Sequence, residues 1–317
     1  SKKLFFFYGW LFGFGYFFSN LYWISISLTF DENFKFLIPF TLLIIPAFMS
    51  IFYGLIFFFF IILEPKKVIN SILVFSLLFG CLEFLRGSIL TGFPWNLIAY
   101  SLSSQLEIIS VTSIIGIYGF NLICVTVFIS PAILFLRDSK KDLVVCSFLL
   151  TIFLFFYIYG VNYENKFKNK KKEALDYKIR IIASNISLDR FYLNIDPTSI
   201  LKELIEISSP IENEKTIFVW PEGILPGISQ EQLSEFSTIF ENFFSDNHLL
   251  IIGINAQSQN KKSKNVFNSF SVYDNKLNLL SSYNKMNLVP FGEFLPFEKI
   301  LKGIGLKSLT NNYQSFS

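Results

Sequence analysis

The sequence predicts a multi-span α-helical membrane domain followed by an α/β domain. The chain of 317 residues is 52% hydrophobic and only 16% charged, whereas a typical soluble domain is about 25% charged. The apolar excess is concentrated in residues 4–162, and a pattern of alternating strands and helices follows it. We therefore assign residues 1–162 to the membrane domain, 163–177 to a basic linker and 178–317 to the α/β domain.

Five apolar stretches are long enough to cross a bilayer, for which a helix needs about 20 residues. The second stretch contains Pro39 and Pro46, which membrane helices tolerate better than soluble ones. The connections between the stretches are short. The predicted spans are residues 4–29, 36–62, 68–87, 107–136 and 143–162.

Basic residues in alternate connections predict the orientation of these spans, because lysine and arginine accumulate on the cytoplasmic side. The soluble half then lies outside the cytoplasm. The basic run NKFKNKKK at 165–172 falls on the outer side, against this rule, which long translocated domains escape. The residues assigned to the cytoplasm are Lys2, Lys3, Lys66, Lys67, Arg137, Lys140 and Lys141.

Two polar features interrupt the membrane domain. Glu83 and Arg86 are three residues apart, so they share a helix face and can pair. A charge at the bilayer centre costs roughly 2.5–3.5 kcal/mol, and the pair is either structural or part of a functional site. The following Gly-Phe-Pro-Trp cannot continue a helix. It predicts a loop or short arm at the outer surface, or a plain interfacial anchor at Trp95.

The α/β domain reads as strand, helix, strand, helix and three further strands. Asp196 is the expected N-cap of the first helix, and Ser229 with Gln232 forms an expected capping box for the second. Asp274 and Asn275 form a turn pair between the last two strands. In order, the segments are KIRIIASN, DPTSILKELIEIS, TIFVW, SQEQLSEFSTIFENFF, HLLIIGIN, NVFNSFSVYD and KLNLLSSYNK.

Charged side chains follow two of these strands. Glu222 comes directly after TIFVW, Lys285 closes the last strand, and Glu293 lies on a loop rich in proline and glycine. Since chemistry collects at the carboxyl ends of strands in such sheets, neighbouring strand ends would bring a carboxylate and an ammonium into one site. Strand-end charges are commonly only solvated, so the spacing alone leaves both interpretations open.

The composition argues against several other kinds of site. A single histidine, His248, and three cysteines make a metal site improbable, and we expect no cofactor. Cys81, Cys124 and Cys146 lie in apolar segments and behave as small buried hydrophobes. The net charge of +3 is too small to indicate nucleic-acid binding.

The motif WPEGILP followed by YNKMNLVPFGEFLP resembles the catalytic domain of the bacterial apolipoprotein N-acyltransferase family, which is part of the nitrilase superfamily. The membrane half agrees, because LYWISISL, EFLRGSILTGFPWNLIAYS and GIYGFN resemble membrane signatures of that family. The resemblance covers nearly the whole chain in the family's order.

The resemblance implies an α/β nitrilase-like (αββα sandwich) domain on the periplasmic side of the bacterial inner (cytoplasmic) membrane. It implies transfer of an acyl chain from a phospholipid donor to the N-terminal amine of a diacylglyceryl apolipoprotein acceptor, through a cysteine thioester. Glu222 would be the general base, Lys285 the oxyanion-stabilising lysine and Glu293 a second essential carboxylate.

The chain departs from the family pattern in two ways. The family's cysteine lies some fifty residues beyond the lysine, and here no cysteine follows Cys146. We therefore expect either a fragment that lacks both ends, with an α/β domain incomplete at the C-terminus, or an inactive remnant. The family's tryptophan after the first strand is also replaced, and Phe191 or Tyr192 is expected in its place. We further expect Trp95 and Tyr283 to contact substrate.

Three alternatives remain at this stage. A membrane-tethered nitrilase-like amidase would use the same three residues on a soluble amide. An inactive scaffold would explain the missing thiol. A transporter is disfavoured, because the helices show no inverted repeat and few charges besides Glu83 and Arg86.

Overall fold

The computed structural model describes residues 1–29, 32–89, 92–171, 175–185, 196–225, 227–257, 265–290, 293–294 and 316. The chain divides into two compact units, Ser1–Lys171 and Lys172–Ser317.

The first unit is helical. Four of its helical segments are long and apolar enough to cross a membrane, and a fifth span results if one bent pair of helices is counted as a single crossing. This agrees with the predicted helical membrane domain. The α-helices are α1 (Lys2–Asn20), α2 (Ile38–Leu63), α3 (Val68–Arg86), α4 (Leu106–Ile109), α5 (Thr112–Ile129), α6 (Ile133–Leu136) and α7 (Lys140–Asn169). Short 3-10 helices cover Tyr22–Thr29, Glu32–Leu37, Ile98–Leu102 and Ser130–Ala132.

Two predicted spans are not continuous helices. The first breaks after Asn20, where α1 and the following 3-10 helix meet at a bend of 46°. In the fourth, α4 is separate from α5, and Gly116 has φ 69° and ψ 171°, a backbone conformation open to glycine but not to most residues. The fifth is longer than predicted, because α7 runs to Asn169 and takes in the beginning of the basic run.

Tyr53 of α2 joins the first three long helices. Its side chain is fully buried, and its ring packs edge-on against Phe17 of α1 at 5.1 Å and Phe79 of α3 at 5.0 Å between centroids. Such edge-to-face aromatic pairs are worth about 0.5–1.5 kcal/mol beyond their buried area.

Arg86 fixes the non-helical segment that follows α3. Its buried guanidinium pairs with Glu83 at 2.5 Å and donates hydrogen bonds to the carbonyls of Phe93 at 2.7 Å and Trp95 at 2.9 Å. The pair therefore has a structural role. The two charges neutralise each other in a buried position, and Arg86 supplies hydrogen bonds to backbone carbonyls that have no helical partner.

Two more side chains hold the same segment. The Tyr16 hydroxyl donates to the Asn96 carbonyl at 3.0 Å, and Asn121 Oδ1 accepts from the Ala99 amide at 3.0 Å. The segment is thus bound to α1, α3 and α5. This agrees with the predicted break at Gly-Phe-Pro-Trp, and it is a fixed loop rather than a simple anchor at Trp95.

The second unit contains one five-stranded mixed sheet in the order β1-β2-β3-β4-β5. β1, β2 and β3 are parallel, and β4 and β5 each pair antiparallel with the strand before them. This agrees with the predicted α/β domain. The strands are β1 (Lys178–Ile181), β2 (Thr216–Trp220), β3 (His248–Gln257), β4 (Val266–Tyr273) and β5 (Leu279–Asn284).

One of the two predicted helices of this unit forms as expected. Helix α8 spans Pro197–Ser208, and the Asp196 side chain accepts from the Thr198 amide. The helix predicted from Ser229 onward forms only in part, as a 3-10 turn (Leu233–Phe236) followed by α9 (Ser237–Glu241). The Gln232 side chain accepts from the Ser229 amide at 3.0 Å, as in the expected capping box, but Ser229 is also bridged to Asn255 of β3, so the helical turns begin later than predicted.

Trp220 and His248 stabilise the core of the sheet. The fully buried Trp220 donates from Nε1 to Ser208 Oγ at 3.0 Å, which joins β2 to the end of α8. His248 is buried, and its Nδ1 accepts from the Ser245 amide at 3.0 Å. Its other ring nitrogen lies 3.0 Å from the Ile211 carbonyl, so the histidine has a structural role here.

We predict that Gly160→Ala destabilises the helical unit. A Cβ at Gly160 would lie 1.8 Å from the Glu107 carbonyl oxygen, so α4 would have to move away from α7. Such overpacking typically costs about 1–3 kcal/mol, which should lower the thermal unfolding midpoint in detergent. Gly15→Ala is the control, since nothing lies within 4 Å of its added Cβ. Equal midpoints for the two variants would contradict the close packing of α4 on α7.

Candidate active site

The ends of β2 and β5 lie on the same edge of the sheet. β2 is parallel to β3, and the two antiparallel pairings that follow make β5 parallel to both. Glu222 follows β2, and Lys285 follows β5. The sequence suggested that the two strands are neighbours, but β3 and β4 lie between them.

The three side chains singled out from the sequence nevertheless meet. Lys285 Nζ lies 3.2 Å from Glu222 Oε1 and 2.8 Å from Glu293 Oε1. The ammonium therefore lies between two carboxylates that come from separate segments of the chain. Their roles in catalysis remain predictions at this point.

Asn268 of β4 completes the group, and the sequence analysis missed it. Its Nδ2 donates to Glu293 Oε1 at 2.7 Å and also to Glu222 Oε1. Its backbone carbonyl accepts from the Lys285 amide at 2.8 Å. The available signal was an amide side chain in the middle of the apolar strand NVFNSFSVYD.

A glycine on β3 makes room for Glu222. A Cβ at Gly253 would lie 2.6 Å from Glu222 Cα and 3.0 Å from the Pro221 carbonyl oxygen. Both contacts are to backbone, which cannot move aside as a flexible side chain could. The residue after Glu222, Gly223, has φ 62°, which favours glycine. These two glycines let the chain turn sharply across β3 after β2 ends.

Glu293 is held by its own turn. Its backbone amide donates to the Val289 carbonyl at 2.8 Å, and its Oε2 accepts from the Val289 amide at 2.7 Å. The side chain of Glu293 is 11% exposed, that of Lys285 33% and that of Glu222 61%. Solvent can therefore reach Glu222 most easily.

The two carboxylates differ in the oxygens they have available. Glu293 uses both oxygens, Oε1 for Lys285 and Asn268 and Oε2 for the Val289 amide. Among the described residues, the hydrogen bonds to Glu222 are all at Oε1. Within the part of the chain that the structure describes, Oε2 of Glu222 accepts no hydrogen bond, whereas both oxygens of Glu293 are engaged.

The contacts within the cluster keep Lys285 and Glu293 charged. Burial alone would lower the pKa of Lys285, but the hydrogen bonds and charges of Glu293 and Glu222 outweigh it, and the net pKa is raised. Burial alone would raise the pKa of Glu293, but Lys285, the Val289 amide and Asn268 lower it below its usual value. An ammonium and a carboxylate therefore persist at neutral pH.

The aromatic residues predicted to contact substrate are dispersed. Tyr283 lies two residues before Lys285, hence on the same side of the strand, and is 61% exposed opposite Phe270. Trp95 belongs to the helical unit, where it lines a hollow of about 550 Å³ with Tyr16 and other residues. Phe191 and Tyr192 lie outside the described residues.

The unit that carries this cluster contains no cysteine in the given sequence. The three cysteines are on helices of the other unit, Cys81 on α3, Cys124 on α5 and Cys146 on α7. Within the described ranges, no three His, Cys, Asp or Glu side chains are grouped so that they could hold a metal ion.

Comparison with known proteins supports the resemblance seen in the motifs. Residues 1–130 match the family model described as apolipoprotein N-acyltransferase N-terminal domain. The chain is 29% identical over 316 residues to a Rhodopseudomonas palustris protein named apolipoprotein N-acyltransferase, with 95% of this chain and 58% of that protein covered.

Other relatives carry the same name. A Rhizobium leguminosarum protein is 29% identical, with 98% of this chain and 59% of the relative covered. A Brucella melitensis protein is 28% identical, with 95% and 57% covered. These matches confirm the resemblance to the family, and the chain spans a little under three fifths of the length of these relatives.

We predict that Lys285→Met lowers the thermal midpoint of the second unit at pH 7, and that the loss becomes smaller in acid. The variant leaves Glu222 and Glu293 as neighbouring anions without their cation. In the wild type, the lowered pKa of Glu293 contributes stability above its usual value of 4.5, and this contribution disappears as the pH falls through the folded pKa.

The measurement is the thermal midpoint from pH 2.5 to pH 8, with Lys202→Met as the control because Lys202 is an exposed lysine of the same unit. A wild-type-minus-variant difference that stays constant or widens toward pH 2.5 would contradict the role assigned to the ion pair.

Proposed function

We propose that this chain, a relative of the apolipoprotein N-acyltransferases, carries the acid–base and oxyanion-stabilising groups of an N-acyltransferase. The reaction moves an acyl chain from a phospholipid to the N-terminal amine of a diacylglyceryl-cysteine lipoprotein. The observation that carries the proposal is the meeting of Glu222, Lys285 and Glu293 at one edge of the sheet.

Glu222 is the general base. It follows β2 at the sheet edge, is the most exposed of the three side chains and accepts no hydrogen bond at Oε2 from the described residues. A cysteine thiol with a pKa near 8.5 is mostly protonated at neutral pH and needs such a base to form the nucleophilic thiolate. The thiol itself is implied by the family resemblance.

Lys285 stabilises the oxyanion. Its ammonium has three N–H donors, and two of them are directed at Glu222 and Glu293. The third can donate to the negatively charged oxygen of a tetrahedral intermediate. Because the two carboxylates hold the ammonium in place beforehand, little reorganisation is needed when that charge develops.

The reaction then proceeds in two half-reactions, formation of the thioester and transfer of the acyl chain to the amine. Glu222 takes the thiol proton, the thiolate attacks the ester carbonyl of the phospholipid, and the leaving alkoxide takes the proton back as the thioester forms. The lipoprotein amine next attacks the thioester, and Glu222 takes its proton. The thiolate leaves, and the proton returns to it. Glu293 stays ionised and holds Lys285 throughout.

Fold and location belong to the same proposal. The sheet with parallel β1, β2 and β3 and its flanking helices suits one half of an αββα nitrilase-like sandwich covering residues 178–317. The basic linker, 163–177, follows the last span. The lysine and arginine distribution of the membrane domain, 1–162, favours an inner-membrane protein whose catalytic domain is periplasmic.

Substrate contacts are proposed for Tyr283 and Trp95. Tyr283 and Phe270 expose apolar surface on the side of the sheet that carries Asn268, which suits an acyl chain. Trp95 suits the lipid end of a substrate, because its ring is half exposed in a segment fixed between membrane helices. The corresponding proposal for Phe191 and Tyr192 rests on the sequence alone.

We predict that Glu222→Gln and Lys285→Ala each abolish accumulation of the acyl-enzyme. Loss of the base should cost about 10²- to 10⁴-fold in rate, and loss of one oxyanion donor about 10²- to 10³-fold. The protein is expressed from its whole gene, incubated with phospholipid, and its hydroxylamine-sensitive acyl adduct is measured by intact mass spectrometry.

The matched controls are Glu235→Gln and Lys276→Ala, which remove an exposed carboxylate and an exposed ammonium of the same unit. The proposal is wrong if Glu222→Gln and Lys285→Ala form the thioester as fast as these controls do.

We also predict that Asn268→Ala slows acylation about tenfold at pH 7 and moves the acid limb of its pH profile to higher pH. The Asn268 amide donates to ionised Glu293, and loss of a hydrogen bond to an ionised carboxylate raises its pKa. Asn284→Ala is the control, because the side-chain oxygen of Asn284 accepts from the Ser269 hydroxyl, and Asn284 forms no hydrogen bond with either carboxylate among the described residues. An unchanged acid limb with a reduced rate would indicate a purely steric role.

A further inference from the structure

The end of α7 is the feature that the acyl-transfer proposal does not explain. The helix is 30 residues long, or about 45 Å, whereas the hydrocarbon core is about 30 Å thick. Residues 143–161 carry no charged side chain, so they suffice to cross that core. The last turns of α7 therefore extend into the headgroup region, and their side chains lie at the depth of the lipid headgroups.

The last turn of α7 and the two residues after it carry a cluster of four lysines, which we call the cationic end of α7: Lys166, Lys168, Lys170 and Lys171. All four are exposed. One of them, Lys168, pairs with Glu164 at 2.5 Å. Within the described residues, the other three lysines form no ion pair, so their charge faces outward.

Hydrogen-bond donors line the helix face that leads to this end. Tyr159, Asn162, Tyr163 and Lys166 surround a shallow hollow of about 480 Å³, and Lys170 follows one turn later on the same face. The Tyr159 hydroxyl lies 3.3 Å from Ser113 Oγ, and the Tyr159 and Tyr163 rings are 5.9 Å apart. None of the residues around the hollow is a carboxylate.

The helix dipole explains only part of this arrangement. Cations near a helix C-terminus interact favourably with the carbonyl end, which accounts for Lys166 and Lys168 in the last turn. It does not account for the two lysines beyond the helix or for the phenol and amide groups before them. Phenol, amide and ammonium donors at the depth of lipid phosphates instead match the acceptor oxygens and charge of an anionic headgroup.

We propose that the cationic end of α7, together with Tyr159, Asn162 and Tyr163, binds the headgroup of an anionic phospholipid in the leaflet where α7 ends. Tyrosine at this depth is the usual interfacial residue. Lysines just beyond a span attract anionic lipids. The proposal does not depend on the acyl-transfer reaction, and it gives a physical reason for basic residues on the side where the charge rule disfavours them.

The test compares retention of phosphatidylglycerol and of phosphatidylcholine with identical chains by the purified protein in a non-ionic detergent, counted by native mass spectrometry. Wild-type protein should retain phosphatidylglycerol preferentially. The variant with Lys166→Gln and Lys170→Gln should lose this preference by roughly fivefold for each lysine. Tyr163→Phe, which keeps the ring, should weaken it by less.

The control, with Lys202→Gln and Lys276→Gln, removes two exposed lysines of the other unit and should behave as wild type. Equal retention of the two lipids by the wild type, or an unchanged preference in the Lys166/Lys170 variant, would overturn the proposal. Acyl-enzyme formation from a zwitterionic donor in detergent should be the same in all these proteins, which separates this site from the catalytic one.

Discussion

The ammonium group of Lys285 organises the second unit's polar edge. Two carboxylates approach it from the end of β2 and from the turn at Val289, and the amide of Asn268 lies between them. Two like charges this close would repel each other without the cation. The sheet order, the glycine at 253 and the turn around Glu293 all serve to place these groups within hydrogen-bond distance. The two carboxylates differ in their hydrogen bonds: among the described residues, Glu222 accepts only at Oε1, whereas Glu293 accepts at both of its oxygens.

The helical unit also contains a cation that is held by several acceptors, but this cation is buried. Arg86 is also a cation surrounded by acceptors, but two of them are backbone carbonyls and its side chain is fully buried. A group so enclosed cannot meet a substrate, and its hydrogen bonds instead fix a backbone segment that leaves the helix. Two of the three membrane signatures noted in the sequence come together at this segment. EFLRGSILTGFPWNLIAYS supplies Arg86 and the Gly-Phe-Pro-Trp itself, and GIYGFN supplies Asn121.

Much of this architecture was predictable, because it rests on patterns that extend over many residues. Long apolar runs predict helices, and TIFVW or HLLIIGIN predicts strands, since burial dominates there. Glu222 and Lys285 were found at strand ends, where the chain must leave the sheet, and Glu293 was found in the loop rich in proline and glycine that follows. Asn268 was missed because an amide inside a strand carries no periodic signal, and Gly253 was missed because its importance depends on a backbone that crosses from another strand. The helix expected from Ser229 begins only at Leu233, because the backbone at Ser229 pairs with β3 before the helical turns start.

The pairing of Glu83 with Arg86 within a single helix turn has a consequence for how the protein is made. Both partners lie on α3, so they can neutralise each other as soon as that turn has formed, before the later spans α5 and α7 are synthesised. The segment can then partition from the translocation channel into lipid as a helix with no net charge at this position, at a lower cost than two separate ions would impose. When α1 and α5 then pack against α3, the preformed pair loses its contacts with lipid. Arg86 forms hydrogen bonds to the backbone carbonyls of the following loop in their place.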